Sequence, residues 1–178
     1  MSLPSRPLPV KPLVSLIFSQ PALETVVFQE LAGFLGPPDM VSAWLQFDQT
    51  QYYGPEMGPN LQRRLAVFLH LADPVDLCQW KTWTNAIERR LSLGDRRLVN
   101  LDPGYLARER LVLATGKNYT HRLYLGQGLY GEVTLIYQKG AWQSLPWTYP
   151  DYAGPQLLEF FDQARKKYLW QLRHLAGG

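Results

Sequence analysis

The segment LVSLIF, residues 13–18, decides the fold, because the elements around it follow once it is placed in the core. Apart from one serine its residues are hydrophobic, which is typical of a buried strand. Ser19 and Gln20 come next, and Pro21 suits the first position of a helix. Apolar residues then recur at helical spacing as far as Leu35, and Gly36 ends the pattern. The sequence therefore predicts a strand followed by a helix.

The same order of strand and helix recurs further along the chain. Residues 41–48 and 63–71 alternate apolar and polar side chains, which indicates two strands. Asp73 and Pro74 supply a cap and a first-turn proline for a second helix, which ends at Gly94. Residues 97–102 are predicted to form the next strand. The order β-α-β-β-α-β is typical of a ferredoxin-like α+β sandwich.

The C-terminal half is predicted to elaborate this core with β-hairpins and a final helix. Residues 102–105, Asp-Pro-Gly-Tyr, have the chemistry of a tight turn. Strands at 110–115 and 120–125 flank a Gly-Lys-Asn loop, which predicts a hairpin. A further strand, 130–138, follows a turn at 126–128, and the last helix begins at 154–155. We therefore expect a flexible N-terminal segment at 1–12 and a single α+β domain at 13–178.

The composition favours a cytoplasmic globular protein. Hydrophobic residues make up 46% of the chain and charged residues 19%, so one domain can bury a core. Cys78 is the only cysteine, which excludes an intramolecular disulfide and fits a reducing compartment. The N-terminus does not resemble a signal peptide, and the apolar stretch after it is too short to cross a bilayer. We expect no association with a membrane.

Motifs for three common kinds of site are missing. A phosphate-binding loop ending at residues 115–118 would need glycine at position 111 and serine or threonine at 118, where the chain has Leu111 and Asn118. No G-x-S-x-G motif marks a nucleophile. The three histidines do not pair at metal-ligand spacing. The sequence predicts no metal site, and any cofactor stays unknown.

The strand predicted at 130–138 has one markedly polar face. Tyr130, Glu132 and Thr134 share it, since alternate residues of a strand point the same way. His121 and Arg122 precede the turn into this strand and point to opposite faces, so one of them is expected near Glu132. A histidine there could shuttle protons, and an arginine would hold the carboxylate ionised. An ion pair that only fixes the strand register explains the pattern equally well.

Residues 147–152, Trp-Thr-Tyr-Pro-Asp-Tyr, bring three aromatic rings and a carboxylate together. Such rings can form the apolar walls of a pocket while their polar tips orient a ligand. An aromatic cover over the open face of the sheet is the competing explanation. The segment is therefore a candidate pocket wall.

These stretches resemble, in order and spacing, a prokaryotic family known as domain of unknown function 4416. The resemblance covers nearly the whole chain beyond the first ten residues. It rests on Phe47-Asp48, Tyr52-Tyr53, Glu56-Met57-Gly58, Lys81, Thr84-Asn85, Glu88, 100–105, 111–115, Lys117-Asn118, 121–125, 132–135 and 147–152. It implies no known activity, cofactor or catalytic residue. Members are sometimes described as GTP-binding, and the missing phosphate loop argues against that activity here.

The favoured function is a binding or catalytic pocket for a small anionic or nucleotide-like ligand. His121, Glu132 and Asp102 are the candidate catalytic residues, with His121 or Glu132 as the acid–base group. Lys117 and Arg122 are expected to hold an anionic group. The other candidate ligand-binding residues are Asp48, Tyr53, Glu56, Asn85, Asn100, Thr148 and Asp151.

Two other functions fit the same sequence. Residues 81–122 hold nine Lys or Arg against four Asp or Glu, a net charge of +5. Together with nearby aromatic residues, this region could bind RNA. The aromatic segment 142–152 could instead dock another protein. The oligomeric state stays open.

Overall fold

A computed structural model describes residues 3–48 and 53–175, which form a mixed α+β structure. The strands are β1 (Lys11–Phe18), β2 (Pro38–Val41), β3 (Leu45–Gln46), β4 (Gln62–Phe68), β5 (Val99–Leu106), β6 (Arg110–Thr115), β7 (Arg122–Gly126), β8 (Leu129–Gln138) and β9 (Ala141–Ser144). The helices are α1 (Glu24–Leu35), α2 (Gly54–Met57), α3 (Leu77–Arg90) and α4 (Pro155–Leu175). Short 3-10 turns precede α1, α3 and α4.

The described strands form one antiparallel sheet in the order β2-β4-β1-β5-β6-β8-β7, with β3 added to β4 and β9 added to β8. All eight residues of β1 are buried, because neighbouring strands and both sheet faces enclose it. The strand predicted at 13–18 is confirmed. It also takes in Lys11 and Pro12, which were assigned from sequence to the flexible N-terminal segment, and Val10 pairs with Ala72 just before it.

Helices cover both faces of the sheet. On one face, α1 and α3 pack against a buried cluster that includes Val14, Leu16 and Phe18 of β1. On the other face, Phe161 and its neighbours in α4 pack against a cluster that includes Leu13. The sheet is thus the middle of three layers. Among the described helices, none is both long enough and apolar enough to span a membrane.

Some of the local signals at the helix ends act as the sequence predicts, but Gln20 forms no capping bond and α3 ends at Arg90 and not at Gly94. Asp73 Oδ1 accepts a hydrogen bond from the Val75 N–H at 3.0 Å, which caps the turn before α3. Gly36 ends α1 with a φ of 79°, a conformation that favours glycine. The predicted final helix is confirmed as α4, with Pro155 at its first position.

The turn predicted at 102–105 is wrong, because these residues lie inside β5 and pair with β1. β5 pairs with β6 only from Gly104 to Leu106. The Leu101 N–H points away from β1, and strand alternation points residue 103 the same way. The side of β5 on which Pro103 has no N–H to donate is therefore the side without a partner strand. The proline is accommodated at an open strand edge and not in a turn.

The hairpin predicted between 110–115 and 120–125 is also wrong. Both strands exist, as β6 and β7, but β8 lies between them and pairs with each. The loop at 116–118 therefore connects two strands that are not neighbours. The turn at 126–128 does close a hairpin, since Tyr124 pairs with Tyr130 across it.

The strand predicted at 41–48 is wrong in its bounds, because β2 begins earlier, at Pro38, and ends at Val41, and within the remaining range only Leu45–Gln46 form a strand, β3. At Ser42 one ladder bond remains, since its N–H donates to the Leu65 carbonyl oxygen at 2.8 Å, and the other is replaced, since its hydroxyl oxygen accepts the Leu65 N–H at 3.0 Å. Arg64 Nε also donates to the Ser42 carbonyl oxygen at 2.9 Å. These side-chain bonds replace strand pairing locally. The strand predicted at 63–71 ends earlier, at Phe68.

Gly104 occupies a position where β6 leaves no room for a side chain. A β-carbon there would meet the Val112 carbonyl oxygen and the Leu113 side chain. We expect Gly104→Ala to lower the free energy of unfolding by about 2 kcal/mol or more, because strand backbone must shift. Urea denaturation measures this. Gly116→Ala is the control, since nothing lies within 4 Å of a β-carbon there; equal losses in both variants would contradict the expectation.

Candidate functional site

Two side chains of α3 complete the hydrogen bonding of β5 where the sheet leaves it open. From Val99 to Pro103, β5 pairs with β1 on one side and with no described strand on the other. The Leu101 N–H donates to Glu88 Oε1 at 2.6 Å, and Lys81 Nζ donates to the Leu101 carbonyl oxygen at 3.0 Å. Lys81 and Glu88 are seven residues apart, so they share one face of α3. The backbone of Leu101 is thus satisfied without a neighbouring strand on that side.

Asp102 is a charged carboxylate that solvent can reach. Lys81 Nζ donates to its Oδ1 at 3.0 Å, and Asn100 Nδ2 donates to its Oδ2 at 2.7 Å. Burial favours the neutral acid, but Lys81 and Asn100 outweigh it and hold the pKa of Asp102 below its usual value. The side chain is still 27% exposed. Asp102 is therefore available to accept hydrogen bonds from a ligand.

An ionic chain continues from Glu88 toward the surface. Arg97 Nη1 donates to Glu88 Oε2 at 3.0 Å, and its Nη2 donates to Glu56 Oε2 at 2.8 Å. The Arg97 guanidinium also lies 5.7 Å from the centre of the Tyr53 ring. Burial raises the pKa of Glu88 in spite of the nearby Lys81 ammonium, and burial also raises the pKa of Tyr53. Tyr53 and Glu56, two predicted ligand-binding residues, therefore border the same ionic chain.

Both His121 and Arg122 contact Glu132 on β8, although the sequence predicts only one of them there. Arg122 Nε donates to Glu132 Oε2 at 2.7 Å, and His121 Nε2 lies 2.9 Å from the same oxygen. Arg122 faces Glu132 in the strand register. His121 precedes β7, where the Arg122 N–H bonds to the Tyr119 carbonyl oxygen in a turn, so the alternation of a strand does not direct its side chain. The expectation that one residue alone would lie near Glu132 is wrong.

His121 is held on its other side by Trp147. The two rings stack with centroids 4.8 Å apart and planes 9° apart. Trp147 Nε1 donates to the Val133 carbonyl oxygen at 2.8 Å. Thr148 Oγ1 donates to the Thr134 carbonyl oxygen at 2.5 Å. These two bonds anchor the aromatic segment on β8, so the Thr148 hydroxyl is engaged with backbone.

Arg63 is the most enclosed cation of the region, at 5% exposure. Its guanidinium lies 4.8 Å from the centre of the Phe47 ring and 4.6 Å from that of Tyr152, and it forms an ion pair with Asp151. Its Nε has no hydrogen-bond partner among the described residues. Buried donors are nearly always paired, and this one is an exception that the surrounding protein encloses on all sides.

Tyr152 links the Asp102 and Glu132 groups. Burial raises the pKa of its hydroxyl, Arg63 opposes the shift, and both Asp102 and Glu132 add to it. The charges of both carboxylates therefore act on the Tyr152 hydroxyl. We call the following set the polar cluster: Arg63, Lys81, Asp102, His121, Arg122, Glu132, Asp151 and Tyr152.

Three further predicted ligand-binding residues are not part of the polar cluster. Asp48 is exposed and lines a separate surface cavity of about 600 Å³. Asn85 is half-buried on α3, between Lys81 and Glu88 along one helix face. Lys117 lies in an exposed loop, and its carbonyl oxygen accepts a bond from Arg122 Nη1 at 3.0 Å. In the described ranges, no group of three or more potential metal ligands occurs.

Arg63, Lys81 and Tyr152 were missed as site residues. Lys81 shares a helix face with Asn85 and Glu88, and this spacing was a usable signal. Arg63 lies at the start of an alternating apolar strand and faces the same side as Leu65, so a cation at a core-facing position was the signal there.

The family model described as domain of unknown function (DUF4416) matches residues 8–168. The chain belongs to this family, and the resemblance read from the sequence is confirmed. No curated protein matches the chain at a significant level. No solved structure matches it at that level either.

The pairing of Asp102 with Lys81 makes a pH-dependent contribution to stability. We expect Asp102→Asn to lower the free energy of unfolding by about 2 kcal/mol near neutral pH, because it leaves the buried Lys81 ammonium unpaired. The folded pKa of Asp102 is below its usual 3.8, so the stabilisation is present above the unfolded pKa and is lost as pH falls through the folded pKa. The difference from wild type should therefore shrink below roughly pH 4.

Urea denaturation over this pH range measures the effect. Asp162→Asn is the matched control, because Asp162 pairs at 2.7 Å with Lys166 on the exposed side of α4 and should cost less than about 1 kcal/mol. If Asp102→Asn lowers the free energy of unfolding no more than the control does, or if its effect grows toward acid pH, the Asp102–Lys81 pair does not stabilise the fold as expected.

Proposed function

We propose that the polar cluster binds a small anionic or nucleotide-like ligand and that His121 and Glu132 act on it as an acid–base pair. One observation carries the proposal. The Glu132 carboxylate, 4% exposed, holds His121 Nε2 and Arg122 Nε with the same oxygen. A buried ion pair stabilises a fold little more than apolar residues of the same size would. The combination of this ion pair with a histidine is therefore better explained by a functional role than by a contribution to stability.

His121 has one ring nitrogen free for chemistry. Nε2 is engaged by Glu132, and Nδ1 has no hydrogen-bond partner in the described part of the chain. Nδ1 is also not among the described buried polar atoms that lack a partner, so it is open to solvent. With the proton on Nε2, the neutral ring donates to Glu132, and Nδ1 is left as a proton acceptor. Stacking on Trp147 fixes the ring plane.

The ligand's anionic group would be recognised by spare donors and not by net charge. Lys81, Arg63 and Arg122 are balanced by Asp102, Asp151 and Glu132, so the cluster is formally neutral without His121. Arg122 uses Nε and Nη1 within the protein, and Nη2 remains. The guanidinium fork suits a phosphate or carboxylate.

The accessible Asp102 carboxylate favours a ligand that also carries hydrogen-bond donors. Each of its oxygens accepts one bond from the protein, and a carboxylate oxygen can accept two. Hydroxyl or amino groups of a ligand fit the remaining positions. A molecule with both an anion and such donors is nucleotide-like.

We also propose that the core is ferredoxin-like. The order β2-β4-β1-β5 with antiparallel neighbours, and the positions of α1 and α3 between strands of this set, support that architecture. The strands β6 to β9 and α4 then extend it on the side that carries Glu132.

An RNA-binding function is the second candidate. Tyr119 is 64% exposed, and its ring lies 6.0 Å from the Arg122 guanidinium, an arrangement on which a base could stack. Docking of a protein through the segment 142–152 is less favoured, because Trp142 and Tyr152 are buried in the core.

AMP and inorganic phosphate are suitable probes of the proposed site. At about a hundred times the dissociation constant, a ligand should raise the melting temperature by roughly 5 to 10 °C for a chain of this size. We expect AMP to do so for the wild type and phosphate to do so less. His121→Ala, Arg122→Ala and the isosteric Glu132→Gln should each remove most of the shift, as measured by differential scanning fluorimetry.

Arg110→Ala is the matched control, because Arg110 is exposed and pairs only with its neighbour Glu109 among the described residues. It should keep the full AMP shift. The proposal fails if AMP leaves the wild type unchanged, or if all variants show the wild-type shift. Salt-dependent binding of a single-stranded oligouridine without any AMP effect would favour the RNA alternative.

A further inference from the structure

A cavity remote from the polar cluster lies between the end of α1 and the start of α3. Its volume is about 340 Å³, within the range of small-molecule sites. None of the polar-cluster residues lines it. Its principal side chains are Phe34, His70, Asp76, Gln79, Trp80 and Trp83.

Three aromatic rings form its apolar walls. Trp80 is 3% exposed and belongs to the core, whereas Trp83 is 39% exposed and open to solvent. The rings of Phe34 and Trp83 lie 4.7 Å apart at an angle of 54°, so they meet as a corner and not as a flat stack. His70 adds a fourth ring, held against Gly36 so closely that a β-carbon at position 36 would meet it.

The charges around the cavity favour a cation. The residues that line it include Asp76 and no lysine or arginine. The C-terminal end of α1 borders it through Leu35 and Gly36, and this end carries about half a negative charge. The N-terminal end of α3 carries a similar positive charge, but the full charge of Asp76 in that turn outweighs it, and Asp73 adds another. The balance is negative.

We propose that this cavity binds a small quaternary ammonium compound. Methyl groups on the nitrogen spread the charge over an apolar surface, so little hydration is lost on entering an aromatic site. The ring faces attract the cation and Asp76 supplies a counter-charge at the rim. A primary ammonium, which water holds strongly, gains less from the same walls. The proposal does not depend on the function of the polar cluster.

Choline and its uncharged isostere 3,3-dimethylbutan-1-ol test the proposal, because they differ in charge and share shape. Titration of the labelled full-length chain, followed through the indole N–H signals of Trp80 and Trp83, should show saturable binding of choline. The isostere should bind about tenfold more weakly. Absence of saturable choline binding, or equal affinity for both compounds, would overturn the proposal.

Two variants separate the contributions of ring and carboxylate. Trp83→Leu and Asp76→Asn should each weaken choline binding several-fold, and both positions are exposed enough to leave the fold intact. Trp170→Leu is the control, since Trp170 is 55% exposed on α4 and outside the cavity; it should bind choline as the wild type does. Unchanged choline affinity in Trp83→Leu would exclude the cavity as the site.

Discussion

The two hydrogen bonds from α3 to Leu101 are the constraint on which the rest of the structure depends. Glu88 accepts the Leu101 N–H and Lys81 donates to the Leu101 carbonyl oxygen, so Leu101 needs no second strand beside it. β6 can then leave β5 beyond Gly104 and carry β8 and β7 away from it. Asp102 of the polar cluster lies at this open edge of β5. Side chains of α3 thus occupy the edge and supply some of the charged groups there.

The ionic groups at this opening are costly to place in a protein interior. Each buried cation meets a carboxylate: Lys81 meets Asp102, and Arg63 meets Asp151. The half-buried Arg122 meets Glu132. Breaking such a pair is expensive, yet forming it contributes little net stability. The pairs therefore fix geometry more than they stabilise the fold. This geometry gives the His121–Glu132 pair its fixed orientation and leaves the Asp102 side chain partly exposed to solvent.

Features governed by neighbouring residues were predictable from the sequence. The glycine end of α1, the cap before α3, the buried strand β1 and the final helix α4 are confirmed, as is membership of the family. Asp102-Pro103-Gly104 was misread as a turn because an open strand edge is a property of the whole sheet. β8 between β6 and β7 was missed for the same reason, since local spacing does not determine which strands pair.

The candidate site was predictable only in part. The hairpin predicts Glu132 beside His121 or Arg122, and the sequence predicts Asp102 as a site residue without its partners. Arg63 and Tyr152 belong to the candidate site through a contact between segments that are far apart in the chain. The spacing of residues in the sequence does not reveal such a contact. The roles of all these residues in binding or catalysis stay predictions. Family membership adds no activity that would replace them.

The central claim is that one ligand contacts both the open edge of β5 and the His121–Glu132 pair. Chemical-shift mapping on the isotopically labelled full chain, titrated with AMP, tests it most directly. We expect the perturbed backbone amides to fall in two stretches, 100–102 and 121–132, with the same saturation curve. Perturbations confined to one stretch, located elsewhere in the sheet, or absent at saturating AMP would contradict the claim.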